Sequence, residues 1–347
     1  MGPSHADRQK CLEGWPTDIL KPNREKEVFQ LHKIGSKIDE IRIDGDLARF
    51  RNDLEVYASL GLRAVEVPVH GVDAIKNGLL DGRRLREVQH ILKDFNFIYS
   101  VHSPNPLNLM DTNDLTLQLS VFEASLRFAE AIGARILVYH AGRFVPEEAF
   151  PIRRSHELSR EEAVRLMESE RESLAGLALK HPGVTICVEN ARPYRYHSPY
   201  CYGERIDILK KHVEAVSLPN VKINLDIGHL YMAAHYYRFD PVDAVLTIRD
   251  LIAHTHVHDN FGGAVYSHEK IQTHQIPFGR GDAHMPVGWG EIPLGEVLSG
   301  YCPSYSGMLM MELRSRYFDD TRESLENLCL LLDSIQRSSP IKRVSNL

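Results

Sequence analysis

The sequence predicts a parallel (β/α)8 TIM barrel, on three observations. Eight short runs rich in β-branched and aromatic residues alternate with longer amphipathic segments, the order expected of a parallel sheet closed by crossover helices. The chain has 347 residues, a little above the usual barrel length and enough for one large core. No Gly-rich phosphate-binding turn follows the first run, which argues against the rival doubly wound open sheet.

The strand candidates, in order, are "VFQLHKI" (28–34), "RAVEVPV" (63–69), "FIYSVH" (97–102), "RILVYH" (135–140), "VTICVEN" (184–190), "VKINLD" (221–226), "AHTHVH" (253–258) and "GMLMMEL" (307–313). Helical spacing fills the gaps. In 44–61, Leu47, Phe50, Leu54, Tyr57 and Leu60 keep to one face, and in 114–133 Leu119, Phe122, Leu126 and Ala129 do the same before a stop at Gly133. The segment 159–183 opens on Ser159 with Glu162 three residues on, a capping box, and closes at His181-Pro182-Gly183. A last helix is expected over 321–336. Residues 1–27 read as an N-terminal extension, 28–337 as one barrel domain, and 338–347 as a C-terminal tail. The stretch 15–27 of the extension is suited to lie across a barrel face or against a second copy, so an oligomer is open.

Composition narrows the function classes. Hydrophobic residues make up 43% and charged residues 25%, as in soluble globular proteins. No window approaches the ~18 uninterrupted apolar residues of a membrane helix, and "MGPSHADRQKCLEGWPTD" lacks the pattern of a secretory signal. The cysteines are five, scattered and without a CxxC pair, which points to a reducing compartment and a cytoplasmic protein rather than a disulfide framework. A net charge of −6 provides no bulk attraction to nucleic acid. The 18 histidines are unusual, and their placement matters more than their number.

In a barrel of this kind chemistry sits at the C-terminal ends of the strands. The third expected strand ends in His102, the fourth in His140 and the fifth in Glu189. The sixth ends in Asp226, with His229 just beyond. The seventh carries His254, His256 and His258 on one face by the period of two. The next loop holds Asp282 and His284, and the eighth strand ends in Glu312. Any one of these has an ordinary structural explanation; Asp226, for example, has the sequence position of a helix cap. Six consecutive strands that each deliver an imidazole or a carboxylate to the same end do not. Charges converging on an apolar barrel mouth are costly without a cation to neutralise them. Histidine with carboxylate and no thiolate suits zinc or manganese, with iron and cobalt compatible. The candidates outnumber the ligands of one ion, so two or three metals are expected. Asp226 then ends its strand to hold metal, and His229, at the start of the following loop, turns back to the same cluster. His258 is left to orient a ligand or to touch substrate.

Through these residues the chain resembles the xylose-isomerase-like TIM-barrel superfamily, which includes sugar isomerases and epimerases and the trinuclear-zinc apurinic endonucleases. The resemblance is carried by "VHSPNPLNLMD" (101–111), "LVYHAG" (137–142), "CVEN" (187–190), "LDIGHLYMAAH" (225–235), "HVHDN" (256–260), "GDAHMPVGWGEI" (281–292) and "MEL" (311–313). It implies that His102, His140, Glu189, Asp226, His229, His256, Asp282, His284 and Glu312 occupy the nine ligand positions of the trinuclear branch. The family's histidine stands three residues before an aspartate, which selects His256, ahead of Asp259, over His258. Glu189, Asp226, His256 and Glu312 also match the single-metal set of the epimerases. Departures from the endonuclease pattern are the bulky "ARPYRYHSPYCYGE" (191–204) and the long excursion 261–281, and they count against DNA as partner.

Two mechanisms are implied. As an isomerase or epimerase on a sugar, sugar phosphate or sugar-derived acid, the chain would use Glu189 and Glu312 as general base and acid. Arg143, Arg192, Arg195, Arg280 and His258 would then bind substrate oxygens or an anionic group, with Tyr194 and Tyr196 beside them. As a phosphodiesterase of the abasic-site type, it would need a basic rim to hold a duplex, yet "VPEEAF" (145–150) sets acids there. The small carbohydrate is the favoured partner. A metal-dependent lyase or hydrolase on a carbohydrate is a third reading.

Overall fold

Eight parallel strands close on themselves in the computed structural model, which describes residues 33–152, 158–266 and 272–338. The barrel strands are β1 (Lys33–Lys37), β2 (Ala64–Pro68), β5 (Ile98–His102), β6 (Ile136–His140), β7 (Thr185–Glu189), β8 (Val221–Asp226), β9 (Ile252–Val257) and β10 (Met308–Met311). A two-stranded hairpin, β3 (Ile75–Lys76) with β4 (Leu79–Leu80), sits in the connection after β2. Around the ring the order is β1, β10, β9, β8, β7, β6, β5, β2, so each barrel strand pairs with its neighbours in sequence and β1 pairs with β10 to close the cylinder. This is the expected TIM barrel. No helix among the described residues is long and apolar enough to cross a membrane.

The helices are α1 (Glu40–Ile43), α2 (Leu47–Ser59), α3 (Gly82–Leu92), α4 (Leu115–Ala131), α5 (Arg160–Lys180), α6 (Ile206–Val216), α7 (Ile227–Tyr237), α8 (Pro241–Ile248), α9 (Leu294–Ser299) and α10 (Thr321–Ser338). Their starts follow local chemistry. Asp46 accepts from the amides of Ala48 and Arg49, and Asp81 from those of Arg83 and Arg84, each supplying the partner that a helix N-terminus lacks. The capping box of Ser159 and Glu162 forms in full. The segment read as one helix over 44–61 starts later, because Asp44 and Gly45 are left-handed (φ 40° and 78°) and turn the chain between α1 and α2.

Strand ends fall within two residues of expectation except at the first strand. Its expected residues 28–32 lie outside the described residues, as do the extension 1–27 and the tail from 339, and β1 instead runs on to Lys37. Gly35 and Ser36 obscure the apolar pattern there. A side chain at Gly35 would collide with the Ala64 backbone, so β1 and β2 lie this close only because the position is glycine.

Most of the core lies between the strands and the helices, as both faces of a parallel sheet must be covered. Inside the barrel, Ala64, Met308 and Met310 form a separate apolar plug with Ile136 packed against it. Register sets Glu66 beside Ser100, Pro68 beside His102, and Met310 beside His256. The interior therefore changes along its axis from the apolar plug, through a polar layer at Glu66, to the crowded ends of the strands.

Candidate metal centre

Because every barrel strand runs the same way, His102, His140, Glu189 and Asp226 leave the C-terminal ends of β5, β6, β7 and β8 into one space. Glu189 is its hub. Its two oxygens lie 3.7 Å from His102 Nε2, 3.5 Å from His140 Nε2, 3.3 Å from His229 Nδ1 and 3.4 Å from His256 Nδ1. Glu312 Oε2 approaches the same His256 Nδ1 at 3.0 Å and His284 Nδ1 at 3.7 Å. Asp282 Oδ2 joins His229 Nε2 at 3.2 Å and His284 Nε2 at 2.8 Å. Asp226 Oδ2 lies 3.8 Å from His256 Nδ1. All nine expected ligand positions thus belong to one connected cluster.

His229 departs from its expected place in a loop and stands in the first turn of α7. Asp226 is the N-cap of that helix and accepts from the His229 amide at 2.6 Å. Capping and clustering are one arrangement: the cap orients the first turn, and that turn carries the imidazole back over Glu189.

Outer hydrogen bonds aim the rings. His102 Nδ1 meets the Ser103 carbonyl at 2.7 Å, His229 Nδ1 the Asn190 carbonyl at 2.9 Å, and His284 Nδ1 the Glu312 carbonyl at 2.9 Å. His256 Nε2 meets Glu66 Oε1 at 2.9 Å. A ring that donates its outer N–H keeps a lone pair for the inside, as metal-ligating histidines do. The buried atoms without a hydrogen bond among the described residues include His102 Nε2, Glu189 Oε1, His256 Nδ1 and Glu312 Oε2. Groups whose donor atoms lie within 4.8 Å of one another, as metal binding requires, include His102–His140–Glu189, His102–His256–Glu312 and His229–Asp282–His284.

The electrostatics match this crowding. Burial alone would favour neutral Glu189, but His140 and then His256 hold its carboxyl well below the usual carboxylate range. Burial likewise opposes ionised Glu312, which Lys37 and His256 hold well below that range. His229 and His256 move the other way. Burial disfavours their charge, yet Asp226 and Asp282 raise His229 and Glu312 and Glu66 raise His256, both well above an ordinary imidazole. A pH dependence follows for the metal-free protein. A histidine raised on folding contributes stability that is complete below about pH 6.5, its unfolded value, and that fades as pH climbs through the folded value. Melting temperature in chelator should therefore fall from about pH 6.5 upwards, and excess zinc should remove that decline by replacing the protons. A flat profile in chelator would contradict the charged histidines.

Above the cluster opens a cleft of about 470 Å³, within the size range of small-molecule sites. Its lining carries seven carboxylates (Asp39, Glu40, Glu147, Glu148, Glu189, Asp282 and Glu312) against four fixed cations (Lys37, Arg143, Arg192 and Arg314). Each cation is engaged. Lys37 Nζ lies 2.8 Å from Glu312 Oε1 and 3.0 Å from Glu40 Oε2. Arg143 donates to the Asn105 and Leu107 carbonyls and pairs with Glu147 at 3.2 Å. Arg192 pairs with Asp282 at 3.3 Å, and Arg314 donates to the Asp282 carbonyl.

Of the residues expected to bind substrate, only Arg143 and Arg192 line this cleft. Arg195 and Arg280 lie elsewhere, both against the ring of Tyr266. His258 is enclosed, with Nε2 at 3.2 Å from both oxygens of Asp226 and its ring stacked on His284 at 4.0 Å. Two contributors were not singled out from sequence. Lys37 hides at the end of the least regular strand. Glu66 announces itself weakly, as an acid between two valines in a run that a parallel barrel buries on both faces. It binds His254 Nε2 at 2.8 Å as well as His256, and accepts from Ser100 at 3.0 Å.

The fold and cluster can now be set beside known proteins. Among solved structures, a D-tagatose 3-epimerase-like protein superposes with a TM-score of 0.62 at 20% identity, covering 88% of this chain and 98% of that one. An L-ribulose 3-epimerase superposes at 0.64 with 12% identity, covering 90% and 99%. A xylose isomerase domain protein from Alicyclobacillus acidocaldarius superposes at 0.60 with 20% identity, covering 86% and 99%. At these identities the likeness concerns the fold. In sequence the chain is 24% identical over 264 residues to an uncharacterized protein of Methanocaldococcus jannaschii, covering 74% of this chain and 85% of that protein. Residues 54–331 match the family described as Xylose isomerase-like TIM barrel, and the chain belongs to that family.

Proposed function

We propose that the protein is a divalent-metal-dependent isomerase or epimerase that moves a proton on a small carbohydrate. The observation that carries this is the pair Glu189 and Glu312. Both line a cleft of sugar size, and their Oε2 atoms flank His256 Nδ1 at 3.4 and 3.0 Å. They leave β7 and β10, three strands apart in a ring of eight, and so reach a substrate from different sides. Glu189 takes a proton from substrate carbon and passes it on to solvent, and Glu312, after taking up a proton from solvent, returns it to the opposite face or to the neighbouring carbon. Lys37, held on the outer oxygen of Glu312, fixes the direction in which the other oxygen points.

The donor set fits divalent ions: imidazole nitrogens fixed by outer hydrogen bonds, carboxylates held ionised, and buried acceptor atoms without hydrogen bonds. His102, His140, Glu189, Asp226, His229, His256, Asp282, His284 and Glu312 would hold them, with zinc in two or three places and manganese as the alternative. A bound divalent ion supplies Lewis-acid stabilisation of negative charge on substrate oxygens. Since every fixed cation of the cleft already has a partner, an uncharged sugar suits it better than a sugar phosphate or sugar acid.

The second reading is a zinc phosphodiesterase of the abasic-site type, favoured by the two distinct triads His102–His140–Glu189 and His229–Asp282–His284. Against it, the carboxylates of the cleft would repel a phosphate backbone. Incubation with a panel of free ketoses in deuterium oxide, followed by NMR, tests the proposal: solvent deuterium should enter the carbon-bound position next to the carbonyl. Incision of abasic duplex DNA with no exchange into any ketose would overturn it. His229→Ala should lower the metal bound per chain by one ion and leave part of the rate. Undiminished metal by elemental analysis would remove His229 from the ligand set.

A further inference from the structure

A second groove, of about 530 Å³, lies between the loop after β7 and the loop after β9 and shares no lining residue with the cleft. Its chemistry is the reverse of the cleft's: two arginines, one histidine and three tyrosines line it, and no carboxylate among the described residues. Arg195 is built into it. Its amide donates to the Val265 carbonyl at 2.8 Å, its Nε to the Ala264 carbonyl at 2.9 Å, and its Nη1 to the Tyr266 hydroxyl at 3.5 Å. That anchoring fixes the fork, and Nη2 meets no acceptor among the described residues. Arg238 is exposed at the rim, and Arg280 shares the Tyr266 ring with Arg195, their guanidinium carbons 5.7 and 5.1 Å from its centre. Tyr196 and Tyr266 are 62% and 43% exposed, with ring centres 5.0 Å apart, so part of each ring is open to solvent. Among the described residues none of the three arginines has a carboxylate partner, whereas Arg143 and Arg192 in the cleft do.

On a chain of net charge −6, guanidiniums gathered without a counter-charge repel one another and are relieved by an anion. The planar fork of arginine matches a phosphate two oxygens at a time, and a tyrosine face packs against a sugar or a base. We propose that this groove binds a phosphate monoester carried on a ring, with the phosphate on Arg195 and Arg238 and the ring on Tyr196 and Tyr266. A sugar phosphate and a nucleoside monophosphate share this chemistry. The inference is independent of the reaction assigned to the cleft.

Calorimetric titration of the full chain in excess EDTA, which keeps cleft ions from capturing phosphate, tests it with glucose 6-phosphate, AMP and inorganic phosphate, and with glucose as the uncharged control. One of the two esters should bind saturably and more tightly than inorganic phosphate, and which one identifies the ring. Arg195→Ala, and separately Arg238→Asn, which suits the left-handed backbone there (φ 59°), should each weaken the ester. The loss expected for a charge-assisted hydrogen bond is roughly tenfold to a hundredfold. Tyr196→Ala should weaken the ester and leave inorganic phosphate unchanged. Absence of saturable binding by either ester, undiminished affinity in both arginine variants, or inorganic phosphate binding as tightly as the esters would overturn the proposal.

Discussion

Glu189→Gln is expected to abolish solvent exchange into substrate, lowering its rate by roughly a thousandfold or more, the range lost with a general base. The substitution keeps the volume and removes only the charge. The new side-chain amide would still find Asn224, whose Nδ2 now donates to Glu189 Oε2 at 2.9 Å, and the bond from the Ala141 amide to the backbone carbonyl of Glu189 does not involve the side chain at all. A neutral side chain is also easier to bury than the carboxylate, so the fold should hold and circular dichroism should match the parent. The His102–His140 triad, however, loses its only anionic member. Elemental analysis then separates the two roles: exchange lost with metal intact marks the base, and exchange lost with one ion missing marks the ligand. Exchange within tenfold of the parent would remove Glu189 from the chemistry altogether.

How much of this was legible in the sequence depends on what each residue's neighbours require. Strand-terminal groups such as His102, His140 and Glu189 were legible because all barrel strands run the same way, so order in sequence becomes proximity in space. Asp226 and His229 supported two readings, cap or cluster, and the structure shows both geometries at once because the cap is what aims the ring. Arg195 and Arg280 were misplaced for an equally physical reason. A loop residue has no period to say which side of the loop it faces, so a basic loop near a barrel mouth is assigned to the mouth by default. His258 shares a face with His256 by the strand period, but Gly228 lets α7 press directly against its ring and seals it beneath the cleft. Lys37 and Glu66 went unnoticed because each makes contacts remote in sequence, Lys37 with Glu312 at the end of the strand that closes the ring and Glu66 across the barrel with His254 and His256, and distance along the chain gives no sign of them.

Glu66→Gln tests the least visible of these residues and should have the second largest effect. Glu66 is fully enclosed, and its two oxygens each hold one histidine, His254 at 2.8 Å and His256 at 2.9 Å. Burial disfavours its charge, but His256 and His254 hold it far below the usual carboxylate range. Both histidines present Nε2 to it, which obliges His256 to turn Nδ1 toward Glu312 and Glu189. An amide in that place offers one acceptor and one donor. It can satisfy only one histidine in its present tautomer, and where the donor end faces His256 it presses that ring to shift its proton to Nδ1, the atom the cluster needs bare. Loss of such an outer carboxylate typically weakens metal binding by about tenfold to a hundredfold. Zinc affinity measured by competition with a chromogenic chelator should fall by that factor, and Glu66→Asp, which keeps the charge, should recover part of it. A purely structural role would lower the melting temperature of both variants and leave zinc affinity alone, and that result would confine Glu66 to packing the barrel floor.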